Sequence, residues 1–220
     1  MARHQPHLLV DLPLGDGAVV VDGETKHHLE KVLRLSEAEV TYTDGAGRIG
    51  SGVYSNGYIQ RGVEELADRP GRLTVAVAPP NSNSRVRFVV EKLGELGVTR
   101  LVWLRTNYGQ GRSPKPEKAA RWVRGALEQS RGAWLMDVAG SVDLDDLAAL
   151  GTPVFASAAG RPIGELNPVP DPVLCIGPEG GFAPMEIPED ALAVNLGATI
   201  LRVETAAIVG VAMLRERWAR

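Results

Sequence analysis

The chain has 220 residues, 44% of them hydrophobic and 23% charged, which leaves room for one large or two small packed domains and excludes a disordered or fibrous protein. Its net charge of −3 argues against nucleic acid until it is divided along the chain. Residues 1–70 sum to −4, residues 71–135 to +8 and residues 136–220 to −7, so a basic block lies inside an acidic protein. Such a block is either a polyanion footprint, whose RNA affinity would fall steeply with salt, or a helix face balancing acids elsewhere in the fold. No apolar run approaches the roughly 20 residues of a membrane span. The opening "MARHQPHLLVDLP" lacks the apolar core and cleavage site of a secretion signal. A single cysteine, Cys175, allows no intrachain disulfide and no cysteine metal cluster. The expectation is a cytoplasmic protein with no metal and no membrane partner.

Up to about Arg69 the pattern is short and β-like. "GAVVVDG" reads as a strand into a turn, "EVTYTDGAGRIGSGVY" as a hairpin turning at Asp44-Gly45, and "GYIQRGVEEL" as a further strand. Between them "TKHHLEKVLRL" predicts a short helix with Leu29, Val32 and Leu33 on one face. A small barrel with one helix fits, and "ADRPGR" (67–72) has the charge, proline and glycine of a domain boundary.

From Leu73 strands alternate with helices, the pattern of a parallel sheet covered on both faces. "LTVAVAPP" is a strand, and Ser84 is placed to cap the helix "RVRFVVEKLGELG", with Val86, Val89, Val90, Leu93 and Leu96 as its apolar stripe and Gly97 as its stop. "RLVWL" is the next strand, and Pro116 opens the helix "PEKAARWVRGALEQS". "DLDDLAAL" reads as a short helix, and "PVFAS", "PVLCI" and "LAVNL" as strands, with Cys175 a small buried core residue. "ETAAIVGVAMLRERWAR" is a helix apolar enough to be buried or to lie at a subunit interface.

Two glycine loops follow strands in this second half, where α/β sheets hold ligands. "GPEGG" (177–181) has no lysine, and its central Glu179 would repel a phosphate. It suits a neutral or cationic ligand met by backbone groups, S-adenosylmethionine among them, or it is a tight turn needing positive φ at Gly180 or Gly181. "NLGATILRVETAA" (195–207) repeats the plan of strand, glycine, linker and helix. Glu204 or Thr205 there caps the helix, or the two loops face one pocket.

Together "IGPEGGF" and "LGATILRVETAA" resemble the signature of the ribosomal RNA small subunit methyltransferase E family of the SPOUT methyltransferases. "HHLEKVLRL", "EKLGELGV" and "EQSRGAW" agree in order, so the resemblance spans nearly the whole chain. It implies a PUA-like, RNA-binding β-barrel over residues 1–70. Residues 71–220 would form an α/β domain with a mostly parallel sheet and a trefoil knot that binds S-adenosylmethionine. It implies a homodimer that methylates N3 of a uridine in 16S ribosomal RNA, within the small subunit. The cofactor residues carried over are Gly177, Pro178, Glu179, Gly180 and Gly181, then Leu196, Gly197, Ile200, Leu201 and Arg202, with Thr205 and Ala206 beside them. Arg202 is the catalytic candidate, orienting the base or stabilising charge on its carbonyl oxygens, or else a structural partner of Glu179 or Glu204. His28, Arg34, Arg85 and Arg131 are the candidates for RNA contact.

The sequence departs from the family at three places. "NSNSR" (81–85) replaces a Lys-Gly-Asp-Lys-like segment, and Asn107-Tyr108 stands where an acid-arginine pair is expected. Pro184 and Pro188 truncate a helix expected between Phe182 and Ala191. Another RNA substrate, or a silent RNA-binding or ribosome-binding dimer, is the alternative these changes leave open.

Overall fold

The structure, a computed structural model, describes residues 5–12 and 17–218. The chain divides into two compact units: one holds the residues up to Arg69 together with Arg124–Leu135, the other Pro70–Val123 and Met136–Arg220.

The first unit is a curled, mixed sheet of five strands. They are β1 (His7–Leu9), β2 (Val19–Val20), β3 (Glu37–Thr43), β4 (Arg48–Ser55) and β5 (Tyr58–Leu66), ordered β1-β3-β4-β5-β2. The β3–β4 hairpin turns at Asp44, whose carboxylate accepts from the amides of Ala46 and Arg48 at 2.8 and 3.0 Å. The β4–β5 hairpin turns at Asn56-Gly57, both at positive φ, as a two-residue turn matched to strand twist requires. A register shift between Gly50 and Gly52 bends the sheet around a core of Leu8, Val19, Leu29, Val40, Tyr42, Tyr54 and Ile59. At the rim of this core the Arg61 guanidinium grips Glu64 at 2.6 and 2.7 Å and holds its carboxyl down to about 2. Burial and the same carboxylate push the Tyr42 hydroxyl up to about 12.

Helix α1 (Gly23–His27) is capped by Asp22, which accepts from Thr25 N at 2.8 Å, and runs on into a wider π-type turn over His28–Val32. The change of winding corrects the expected single apolar face. Leu29 is fully buried, but Val32 and Leu33 are rotated out and stand 60% and 45% exposed.

Strand β1 has only three residues and was not legible as a strand. The segment 124–135 is a second difference, because the sequence places it wholly with the later domain. His7 ties the two features together: its Nδ1 meets Thr41 Oγ1 at 2.7 Å and its Nε2 meets the Gly132 carbonyl at 3.1 Å. Burial pulls its pKa below the ordinary 6.5.

The second unit is built on β6 (Thr74–Val77), β7 (Arg100–Leu104), β8 (Asp137–Val142), β9 (Thr152–Pro162), β10 (Pro172–Ile176) and β11 (Leu192–Asn195), all parallel and ordered β11-β9-β10-β6-β7-β8. Helix α2 (Asn83–Glu95) buries Val86, Val89, Val90 and Leu93 and ends at Gly97, φ 71°. Ser82, not Ser84, sits at its N-cap; Ser84 lies within the first turn. Helix α3 spans Pro116–Ser130 and helix α4 spans Val203–Trp218. The half-exposed β8, "DVAGSV", carries too little apolar pattern to be read in advance, while the Leu144–Ala149 turn is a 3₁₀ helix. The segment 182–191 forms turns and no helix, as Pro184 and Pro188 dictate.

Strand β10 is buried at every position. Leu174 and Ile176 pack with Val89, Leu93, Val211 and Leu214 on one face, and Val173 and Cys175 with Ala76, Val102 and Phe155 on the other. Two covered faces are why the strand reads as an unbroken apolar run. Burial pushes the Cys175 thiol up to about 12, so the thiolate is suppressed at neutral pH. A thiol-specific reagent such as iodoacetamide is expected to leave the folded protein unlabelled and to modify Cys175 only in denaturant, as read by mass spectrometry; stoichiometric labelling without denaturant would contradict this.

Candidate functional site

Strands β11, β9 and β10 lie side by side, and the loops at their carboxyl ends, with the middle of β9, enclose a cavity of about 840 Å³. That volume lies within the range of small-molecule sites. Three stretches form its wall. The first follows β10, where Pro178 accepts from Gly181 N at 2.8 Å to close a tight turn and Gly181 takes φ 75°. The turn and ligand readings of "GPEGG" are thus compatible: the turn exists, and all five residues line the cavity. Gly177 is overlaid by the Phe182 ring, which a Cβ there would meet at 3.0 Å. That ring packs edge-on against Phe155, centroids 5.5 Å apart.

The second stretch follows β11, where Gly197 sits at φ 138°, a backbone conformation open to glycine. The chain then rises through Ile200, 93% exposed at the lip, to the start of α4, which contributes Val203 and Ala206. The third comes from inside β9. This strand pairs with β11 at Val154–Phe155 and again at Arg161–Pro162, so residues 156–160 have no partner opposite them. Ala156, Ser157 and Ala158 face the cavity, while Gly160 returns against β11 and its carbonyl accepts from Asn195 Nδ2 at 2.8 Å. Sequence reasoning missed this wall. Its only signal was the run of small residues "ASAAG", which looks like an ordinary strand end.

Of the residues carried over, Gly177 through Gly181, Leu196, Gly197, Ile200, Leu201 and Ala206 line the cavity; Arg202 and Thr205 do not, and both are exposed. Arg202 is also not the partner of the nearby acids. That place belongs to Arg85, in the first turn of α2, which reaches Glu179 at 3.7 Å and Glu204 at 3.5 Å. Glu204 is buried, and its second oxygen has no hydrogen-bond partner. Arg85 therefore ties the first glycine loop to the head of α4. Behind the first loop, buried Glu186 accepts from Ala183 N at 2.6 Å and from Asn107 N at 2.7 Å. This carboxylate, with Pro184 and Pro188, fixes the course of the "FAPMEIPED" segment and ties it to the loop after β7.

The other RNA candidates belong to the first unit. His28 and Arg34 are exposed in the first unit, Arg34 at φ 55°. Arg131 belongs to the same unit, at φ 57°, and donates to the Gln5 carbonyl at 2.7 Å. Among the described residues no cluster of His, Cys, Asp and Glu could hold a metal ion, and no helix is long and apolar enough to cross a membrane.

The cavity is lined mainly by glycines, alanines and apolar residues, with Ser157, Glu179, Asn195 and Thr199 as its polar members, so it suits a neutral or cationic ligand met largely by main-chain N–H and C=O groups. Residues 67–215 match the RNA methyltransferase domain family. The chain is 31% identical to the ribosomal RNA small subunit methyltransferase E of Mycobacterium bovis and to that of Mycobacterium tuberculosis, over 94% of its own length and 90% of theirs. Solved structures share its fold, two of them as follows. One is the ribosomal RNA small subunit methyltransferase E of Neisseria gonorrhoeae bound to S-adenosyl methionine, at TM-score 0.82, 24% identity and 98% coverage of both chains. The other is a probable rRNA methyltransferase from Porphyromonas gingivalis, at TM-score 0.84 and 24% identity, covering 97% of this chain and 98% of that one.

Proposed function

Because the chain belongs to the ribosomal RNA small subunit methyltransferase E family, we propose that it uses S-adenosylmethionine to methylate N3 of one uridine in 16S ribosomal RNA, acting on the small subunit as a cytoplasmic homodimer. The observation that carries the reading is the cavity itself. Both glycine loops of the family signature line it, and a Cβ at Gly177 would meet the Phe182 ring at 3.0 Å. The strand order supports the expected knot, since β10 inserts between β6 and β9 before the chain continues to β11 on the far side of β9.

The carried-over residues that line the cavity, all but Arg202 and Thr205, support a cofactor site there. Main-chain groups of Gly177–Gly181 and of Leu196–Leu201 would hold and orient the cofactor, while Phe182, Ile187 and Leu196 would exclude water. When bound, S-adenosylmethionine supplies an electrophilic methyl group on a sulfonium. Uridine N3 must give up its proton, to solvent in the absence of an assigned base, as the N–C bond forms and the methyl–sulfur bond breaks to leave a neutral thioether. A cation near the base's carbonyl oxygens favours that loss. Exposed Arg202, between the second loop and α4 and outside the cavity lining, is our candidate for this role. Glu204 Oε1 faces Arg85 at 3.5 Å, and no side chain is assigned as the base.

Two measurements test the reading. Deleting the gene removes a methyl-dependent reverse-transcription stop at one 16S uridine, and adding the protein with cofactor to assembled subunits restores it. An unchanged stop in the deletion strain overturns the assignment. Arg202→Ala keeps dimer and cofactor affinity but lowers kcat by about a hundredfold, the usual effect of removing one charge-stabilising donor. Full activity in the variant would leave Arg202 a surface residue.

A further inference from the structure

After β7 the chain enters a loop, residues 105–115, that passes beside the cavity within the second unit. The loop is pinned at two points. Asn107 N–H donates to the buried Glu186 carboxylate, and Gly111 lies so closely on Pro79 and Pro80 that a Cβ there would overlap the Pro79 oxygen. Between the pins Tyr108 is 52% exposed. Its Cβ and ring carbons lie 3.5–3.9 Å from the point where a side chain on Gly180 would begin, and Gly180 lines the cavity. A large aromatic is thus held by its backbone at the cavity mouth with much of its surface in water.

The residues that follow carry open charge. Elsewhere in the basic block, Arg87, Lys92, Arg100 and Arg105 are paired with Glu91, Glu95, Asp137 and Asp143. Among the described residues Arg112, Lys115 and Arg121 have no ion-pair partner, and Lys118 stacks over Trp122 at 5.1 Å. Unpaired RNA is held by this combination: an aromatic face takes a base and nearby cations take the phosphates. An enzyme that works on an atom of a paired base must also turn that base out and hold it by its face.

We propose that Tyr108 is the platform on which the uridine presented to the cavity stacks, with Arg112, Lys115 and Arg121 holding the flanking phosphates. This rests on the function proposed above and adds to it the residue that receives the base. The test compares wild type, Tyr108→Ala and Tyr108→Phe. Each is assayed for equilibrium binding of an unstructured oligouridylate by fluorescence anisotropy, and for methyl transfer to assembled small subunits at saturating cofactor. Tyr108→Ala is expected to weaken oligouridylate binding and to lower kcat/KM by about tenfold or more, while Tyr108→Phe stays within about twofold of wild type. Calorimetry should give all three the same affinity for S-adenosylmethionine. The binding assay decides: wild-type affinity in Tyr108→Ala overturns the proposal, as does loss in Tyr108→Phe equal to that in Tyr108→Ala, or no measurable binding by the wild type. A wild type that binds through Tyr108 yet methylates nothing would overturn the assigned reaction and leave the platform standing.

Discussion

Gly160→Val is expected to lower the melting temperature by roughly 6–12 °C and to abolish cofactor binding, as read by differential scanning calorimetry and isothermal titration. The reason is the return of β9 against β11. A Cβ on Gly160 would overlap the Val194 nitrogen and stand 2.6 Å from the carbonyl carbons of Ala193 and Val194. These are backbone atoms of a paired strand, so no side-chain rotation relieves the clash. The strands must part where their pairing resumes at Arg161–Pro162. Overpacking that forces backbone shifts costs about 1–3 kcal/mol, and a backbone-on-backbone clash takes the upper end of that range, which for a chain of this size gives the temperature shift stated. Parting the strands also breaks the bond from Asn195 Nδ2 to the Gly160 carbonyl and displaces two walls of the cavity together. A variant that melts and binds like wild type would show that the sheet edge yields there.

Glu186→Ala acts by a different route, by removing an acceptor. The buried carboxylate accepts from Ala183 N and Asn107 N at 2.6 and 2.7 Å. Hydrogen bonds to a charged acceptor are among the stronger ones in proteins, and an orphaned buried N–H adds its desolvation penalty. The expected cost is about 2–4 kcal/mol. The loss releases the turn carrying Phe182 and the loop carrying Tyr108, so cofactor affinity should fall about tenfold or more along with stability. Glu186→Gln tests the assignment. Its amide oxygen can accept from one N–H while its NH₂ group faces the other, so it should fall between wild type and alanine in both readouts. Equal stability of all three proteins would mean that the turn is held by Pro184 and Pro188 alone.

What could be read in advance followed burial and local turn chemistry. β10 was legible because both its faces are covered, and the β3–β4 hairpin because Asp44-Gly45 encodes its own turn. The glycine turns were legible because Gly181 and Gly197 take positive φ, while the reading of a ligand site there rested on the family resemblance of the two loops together. What escaped depends on contacts far apart in sequence. Nothing local marks "HLL" as a strand, since its partner β3 begins about thirty residues later. Val32 and Leu33 fit a helical stripe until the winding changes at His28. Arg85 read as an RNA contact because the acids it bridges, Glu179 and Glu204, lie in other motifs. The third wall of the cavity was hidden because an unpaired stretch inside a strand has no composition of its own.

The division of helix α3 between the two units has a consequence for how freely the parts could be exchanged. By sequence the first unit ends at Arg69, yet the residues that complete it are supplied from 124–135. Arg124 reaches Asp22, Thr25 and the Leu9 carbonyl there, and Gly132 receives His7. A piece cut at Arg69 would leave a buried imidazole and an exposed helix cap without partners. The protein is therefore modular in shape but not in chain. Insertion, fusion or recombination at the apparent boundary would carry away a fold that still needs a segment encoded on the other side.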